Sequence, residues 1–355
     1  MIVKWGSKNK CHFDRMRGNM GTNNNTESNK SKKSWKRFIN IHVLLLLVFL
    51  IFVLALTHKF SNWGEYIDLD EIFADGPGTY EDTLDEIIPL RTEPGPDYVD
   101  DGVTTIVAFG NAPFADDRDS EDSLSNIIED MTGATVYNCA INGSYLASNL
   151  DYYDAEWQPF DAFTFYWLCA LATDHPVDNY YTDAKEVLKE LYPQEADYVI
   201  ETLTTLDFNT VDVITVMYDG TDYLMGYKMY NDANDTDITT FTGNLEAGIE
   251  LIQNTYPHIR IIVMSPPYAY AVDDNGEYMS SDIRTYGEDV LSTYVIKQYS
   301  SALSRSCTFI DHLYGTITED NASQYLIDNY HLNVAGRQKV AERFVHALTY
   351  FDEKE

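Results

Sequence analysis

TTIVAFGNAPFADD, Thr104 to Asp117, is a short β-rich run that ends at a glycine and turns toward SEDSLSNIIEDMTG, Ser120 to Gly133. The second stretch opens on serines and acids, places Leu124, Ile127, Ile128 and Met131 at helical spacing, and stops at Gly133. Those are start, period and stop signals of a helix. The alternation then repeats. ATVYNCAING (134–143), VDVITVMYDG (211–220), IRIIVMSPP (259–267) and CTFIDHL (307–313) read as strands, and FTGNLEAGIELIQNTYP (241–257) and NVAGRQKVAERFVHALTYF (333–351) as helices. Apolar strands alternating with amphipathic helices predict an α/β fold, a three-layer α/β/α parallel sheet covered on both faces. Ligands of such sheets bind at the carboxyl ends of the strands. Residues from about 150 to 210 exceed a plain crossover and predict a helical insertion, in which Phe163, Phe165, Tyr166 and Trp167 read as core.

Upstream of this domain, set at 103–352, the pattern differs. Residues 58–102 are acidic and carry the turn signals DGPGTY and RTEPGPDY, so they read as a linker. Before them FINIHVLLLLVFLIFVLAL, Phe38 to Leu56, holds no formal charge. At about 1.5 Å per residue it matches the roughly 30 Å of a bilayer core, and we expect a transmembrane anchor over 38–57. Residues 1–37 hold ten Lys/Arg and two acids in a polar, Asn- and Ser-rich stretch, expected to be disordered. By the positive-inside rule this tail is cytoplasmic and the C-terminal domain faces outward at the cell membrane, in single-pass topology.

The formal net charge is −33, and with the basic tail set aside 14 basic residues face 55 acidic ones. So acidic a body repels nucleic acid and anionic surfaces. Cys139, Cys169 and Cys307 sit among apolar residues without Cys-x-x-Cys spacing, which argues against both a disulfide framework and a zinc site. We expect no metal and no cofactor.

Near the C-terminus, DNYHLNVAGRQKVAERF places Asp328 three residues before His331, at the entry of a helix. At that spacing the carboxylate reaches one imidazole nitrogen and leaves the other for chemistry. Together with Gly110 after the first strand, Gly143 after the second and Gly220-Thr221-Asp222 after the third, the order of features resembles the SGNH (GDSL-type) hydrolase superfamily over about residues 104–350. The resemblance implies an esterase or deacetylase acting on acylated glycans or other envelope esters, with an acylated carbohydrate or small ester as ligand. It implies His331 as base, Asp328 as its orienting acid and Gly143 as an oxyanion donor. Two blocks depart from it. Asn111 and Ala112 stand where the family has Asp and the nucleophilic Ser, and Asp222 stands where the family has an oxyanion-binding Asn.

An alanine gives a base nothing to activate, and an ionised Asp accepts hydrogen bonds without donating them. Three accounts remain open. The body is a catalytically inactive pseudoenzyme that binds a surface glycan or serves as a scaffold. Or it hydrolyses with a replacement, either Ser120 or Ser144, or a water activated by His331 with Asp222 or Asp116. Or the first block lies elsewhere than at 110–112. Asp116, Asp117 and Asp219 raise the further prospect of a bound cation, without a loop signature for one.

Overall fold

Five parallel strands form the sheet: β1 (Thr105–Gly110), β2 (Thr135–Asn138), β3 (Val213–Met217), β4 (Arg260–Met264) and β7 (Thr308–Ile310), in the order β2-β1-β3-β4-β7. β5 (Ala271–Val272) and β6 (Tyr278–Met279) make a small antiparallel hairpin between β4 and β7. The structure is a computed structural model that describes residues 83–90, 97–175 and 180–351. The tail at 1–37 and the anchor at 38–57 lie outside the described residues, among which no helix is long and apolar enough to cross a membrane.

The uninterrupted apolar runs of β1 and β3 are buried along their whole length, as strands covered on both faces must be. Helices Leu124–Thr132 and Val334–Thr349 pack together on one face, and Phe165–Ala172, Phe241–Thr255 and Leu291–Ser304 on the other. Three layers result, as the alternation predicts. The stretch read as an insertion holds Phe165–Ala172, Tyr180–Val187 and Ala196–Thr205. The first of these is the crossover helix itself: Phe165 lies over Gly248, where a β-carbon would sit 2.5 Å from its ring. Phe163 and Phe165 are core; Tyr166 and Trp167 are half-buried at its rim.

The packed domain begins earlier than residue 103. Within the stretch read as linker, Glu86 and Phe309 of β7 exchange two antiparallel backbone hydrogen bonds, of 3.0 and 2.9 Å. Leu84 N–H donates to Asp311, Asp85 accepts from Asp311 N–H and pairs with Arg343, and Ile88 N–H donates to the Thr308 hydroxyl. Residues 84–88 thus close the β7 edge of the sheet. The β2 edge is closed by side chains: Glu129 accepts from Val136 N–H at 2.7 Å, and the Arg118 guanidinium donates to the carbonyls of Asn138 and Ala140. An open edge would offer these groups to another strand.

Candidate functional site

At the carboxyl end of β1 the chain must pass close to β3. A β-carbon on Gly110 would stand 1.9 Å from the Met217 carbonyl oxygen, so only glycine fits. Asn111 follows, 2 % exposed, and joins three blocks. Its amide nitrogen donates to Asp219 Oδ1 at 2.9 Å and to the Ser144 carbonyl at 3.0 Å, and its amide oxygen accepts from Asp219 N–H at 2.9 Å. An Asp here could not donate either bond and would face a second carboxylate. Asn111 is therefore matched to Asp219, which stands just after the third strand. Asp219 Oδ1 also accepts from Thr221 N–H at 2.9 Å, while Oδ2 is buried without a partner. Burial raises the Asp219 pKa against these bonds.

Ala112 opens the short helix Ala112–Ala115 and is 3 % exposed. It occupies the turn where the family resemblance puts the nucleophile, with a methyl group instead of a hydroxyl. Asp116 ends that helix. Its Oδ1 accepts from the Asn142 amide at 2.9 Å, and its Oδ2 lies 4.0 Å from His331 Nε2. Burial raises the Asp116 pKa, opposed by His331 and the Asn142 bond.

His331 Nδ1 stands 2.7 Å from Asp328 Oδ2, the pairing that the three-residue spacing predicts. Asp328 Oδ1 accepts from the N–H groups of Tyr330 and His331 at 3.1 and 3.0 Å. Although burial raises it, these donors and the imidazole hold the Asp328 carboxyl below its usual range. The loop is fixed from outside. Asn329 O accepts from Tyr270 N–H at 2.7 Å, and the buried Arg337 guanidinium donates to Leu332 O, Asp122 O and Asp117 Oδ2. Arg337 thereby couples the loop after β1 to the His331 loop. Sequence reading missed it, although an Arg in the first turn of a helix whose N-terminus repels cations is itself an anomaly.

Gly110, Asn111, Ala112, Gly143, Asp328 and His331 come to one end of the sheet, and Gly143 takes φ +75° in a turn whose missing β-carbon faces open space. Four residues of the sequence reading take other roles. Asp222 is 1 % exposed, and its two oxygens accept from Leu146 and Ala147 N–H at 2.9 and 2.8 Å, so it holds the loop after β2 instead of facing a substrate. Gly220 is small because a β-carbon there would lie 2.6 Å from that of Ala269, which is a packing demand. Ser144 is buried with its hydroxyl directed to Gly110 O at 3.4 Å, and Ser120 Oγ accepts from Asp122 N–H at 3.1 Å in the turn before a helix. Neither serine hydroxyl is bonded to His331. Asp117 and Asp219 turn to Arg337 and Asn111 respectively instead of converging with Asp116. Among the described residues no group of three or more His, Cys, Asp or Glu is placed to hold a metal ion. Cys139, Cys169 and Cys307 are free and buried, with burial raising each thiol.

Strands β1, β2 and β3 and the C-terminal loop thus deliver four blocks to one end of a parallel sheet, the arrangement that the resemblance to SGNH hydrolases implies. No family model matches the sequence, and no curated protein matches it. Among solved structures the chain is similar to a protein from Lactobacillus plantarum, with 16 % identity over 71 % of this chain and 99 % of that one and a TM-score of 0.46. It is also similar to a carbohydrate acetylesterase from Sinorhizobium meliloti, with 12 % identity, 70 % and 99 % coverage and a TM-score of 0.41. A lipase/acylhydrolase from Enterococcus faecalis gives 15 % identity, 69 % and 95 % coverage and a TM-score of 0.39.

Proposed function

We propose that this chain is an SGNH-fold pseudoenzyme, which binds an acylated glycan or other ester ligand in the His331 cleft without serine chemistry. The observation that carries this reading is what His331 faces. Its outward nitrogen stands 4.0 Å from the Asp116 carboxylate, and the nucleophile turn carries Ala112. A carboxylate at that point, like the Ala112 methyl, offers the imidazole no hydroxyl to deprotonate. The segment 38–57 tethers the domain to the cell membrane, with the basic tail inside and the domain outside; the charge asymmetry of the two flanks supports this topology.

A second reading has one observation in its favour, the intact Asp328–His331 pair at 2.7 Å. In it His331 Nε2 takes a proton from a water whose oxygen attacks the ester carbonyl, and later returns that proton to the departing alkoxide. One assay separates the two. The full-length chain in detergent is given p-nitrophenyl acetate and acetylated xylo-oligosaccharides, beside His331→Ala and Ala112→Ser. The pseudoenzyme reading expects wild-type turnover no greater than that of His331→Ala, and about a tenfold or larger gain in Ala112→Ser as a nucleophile returns. Wild-type turnover abolished by His331→Ala sinks it in favour of the water mechanism.

A further inference from the structure

Beside the His331 site, between helix Leu124–Thr132, the β2 edge and the start of helix Ala196–Thr205, runs a groove of about 840 Å³. That volume lies within the usual few hundred to about 1,000 Å³ of small-molecule sites. Neither His331 nor Asp328 lines it. Asn142 stands where the two meet, since it lines the groove while its amide reaches Asp116.

The chemistry of the walls selects a ligand class. Arg118 is the cation in the lining, and its guanidinium donates to the Asn138 and Ala140 carbonyls. Asp117 is paired with Arg337 at 3.0 Å. Asp119 and Glu195 remain as acids in the walls, Glu195 accepting from Asn142 N–H at 2.6 Å. An anionic ligand therefore meets carboxylates and a cation already engaged. The neutral polar groups are differently disposed. Ser125 is 4 % exposed and its hydroxyl has no partner in the protein. Gln194 is exposed, and Tyr198 is 47 % exposed at the groove wall. Amide and hydroxyl groups that both donate and accept, next to an exposed aromatic face, complement a chain of hydroxyl-bearing rings.

We propose that this groove is a binding site for a neutral oligosaccharide, with Tyr198 as the stacking surface and Gln194 and Ser125 as hydrogen-bonding partners. The site is separate from the His331 cleft and holds whether or not that cleft turns substrate over. The test is calorimetric titration of the full-length chain in detergent with xylotetraose, cellotetraose, fully N-acetylated chitotriose and trigalacturonate. At least one neutral saccharide is expected to bind, about tenfold or more weakly to Tyr198→Ala and measurably more weakly to Gln194→Ala. Neither side chain belongs to the buried core, so either variant reports on binding without a core change. Four results overturn the proposal: no neutral saccharide binds; affinity is unchanged in both variants; trigalacturonate binds as tightly as the neutral chains; or binding is lost in His331→Ala and kept in Tyr198→Ala.

Discussion

Replacing Asn111 by Asp restores the residue that the family resemblance puts there, and the geometry says it should damage this protein. Two donated bonds disappear, the 2.9 Å bond to the Asp219 carboxylate and the 3.0 Å bond to the Ser144 carbonyl. A bond to a charged group contributes about 1.5–3 kcal/mol and a neutral one about 0.5–1.5 kcal/mol, so about 2–4.5 kcal/mol is lost. That is a large share of the roughly 5–15 kcal/mol that holds a domain together. Two facing buried carboxylates also cannot both ionise cheaply, so one takes up a proton. The folded state of the variant then binds more protons than the unfolded chain. Its stability deficit should shrink as pH falls from about 7 toward about 4.5. The assay is urea unfolding of wild type, Asn111→Asp, Asp219→Asn and the double variant at both pH values. In the double variant the amide and the carboxylate exchange places, which restores a donor–acceptor match. Its stability should therefore lie well above that expected from the sum of the single losses. A loss under about 1 kcal/mol, independent of pH, or strict additivity in the double variant would refute the reasoning.

Asp222 has its pKa raised from 3.8 to about 7, by burial first and against the bonds from Ala147 and Leu146. Its contribution to stability is therefore full below about 4 and is lost as pH rises through about 7; melting of Asp222→Asn across this window should show a flatter profile, at a cost of about 1–3 kcal/mol for the N–H left without an acceptor. A profile as steep as wild type would place the titration elsewhere. Gly110→Ala puts a β-carbon 1.9 Å from a backbone oxygen of the central sheet, and should abolish soluble expression; a soluble variant with wild-type melting would contradict the packing. Gln298 is 0 % exposed with neither end of its amide partnered, so Gln298→Met should stabilise by about 1 kcal/mol in urea unfolding, and a loss of that size would reveal an amide partner.

The parts legible in the sequence are those set by local period. β1, the helix after it and the Asp328–His331 turn each depend on residues within one or two turns of each other, and they stand where spacing puts them. The parts that were not legible are settled by distant neighbours. Asn111 is explained by Asp219, 108 residues away. Asp222 sits in a sequence that resembles an oxyanion block, yet its carboxylate is claimed by the loop after β2, a contact that no spacing rule encodes. Ser144 follows a turn glycine and looks available in one dimension, whereas the turn points its hydroxyl inward. Residues 84–88 lie in a stretch whose overall acidity and turn signals read as a linker, and the edge of β7, with Leu84 and Ile87 against the core, makes them part of the packed domain.

That edge segment also sets an order of events. Asp85 and its partner Asp311 are 226 residues apart. At about 5–20 residues per second of synthesis, roughly 10–45 s separate their appearance. The first piece of the domain to be made is thus among the last to find its place, and its Leu84 and Ile87 stay without their core neighbours until then. Until β7 arrives, the β4 side of the sheet is an unpaired edge, so the interval before its synthesis is when nascent chains are most exposed to pairing with one another.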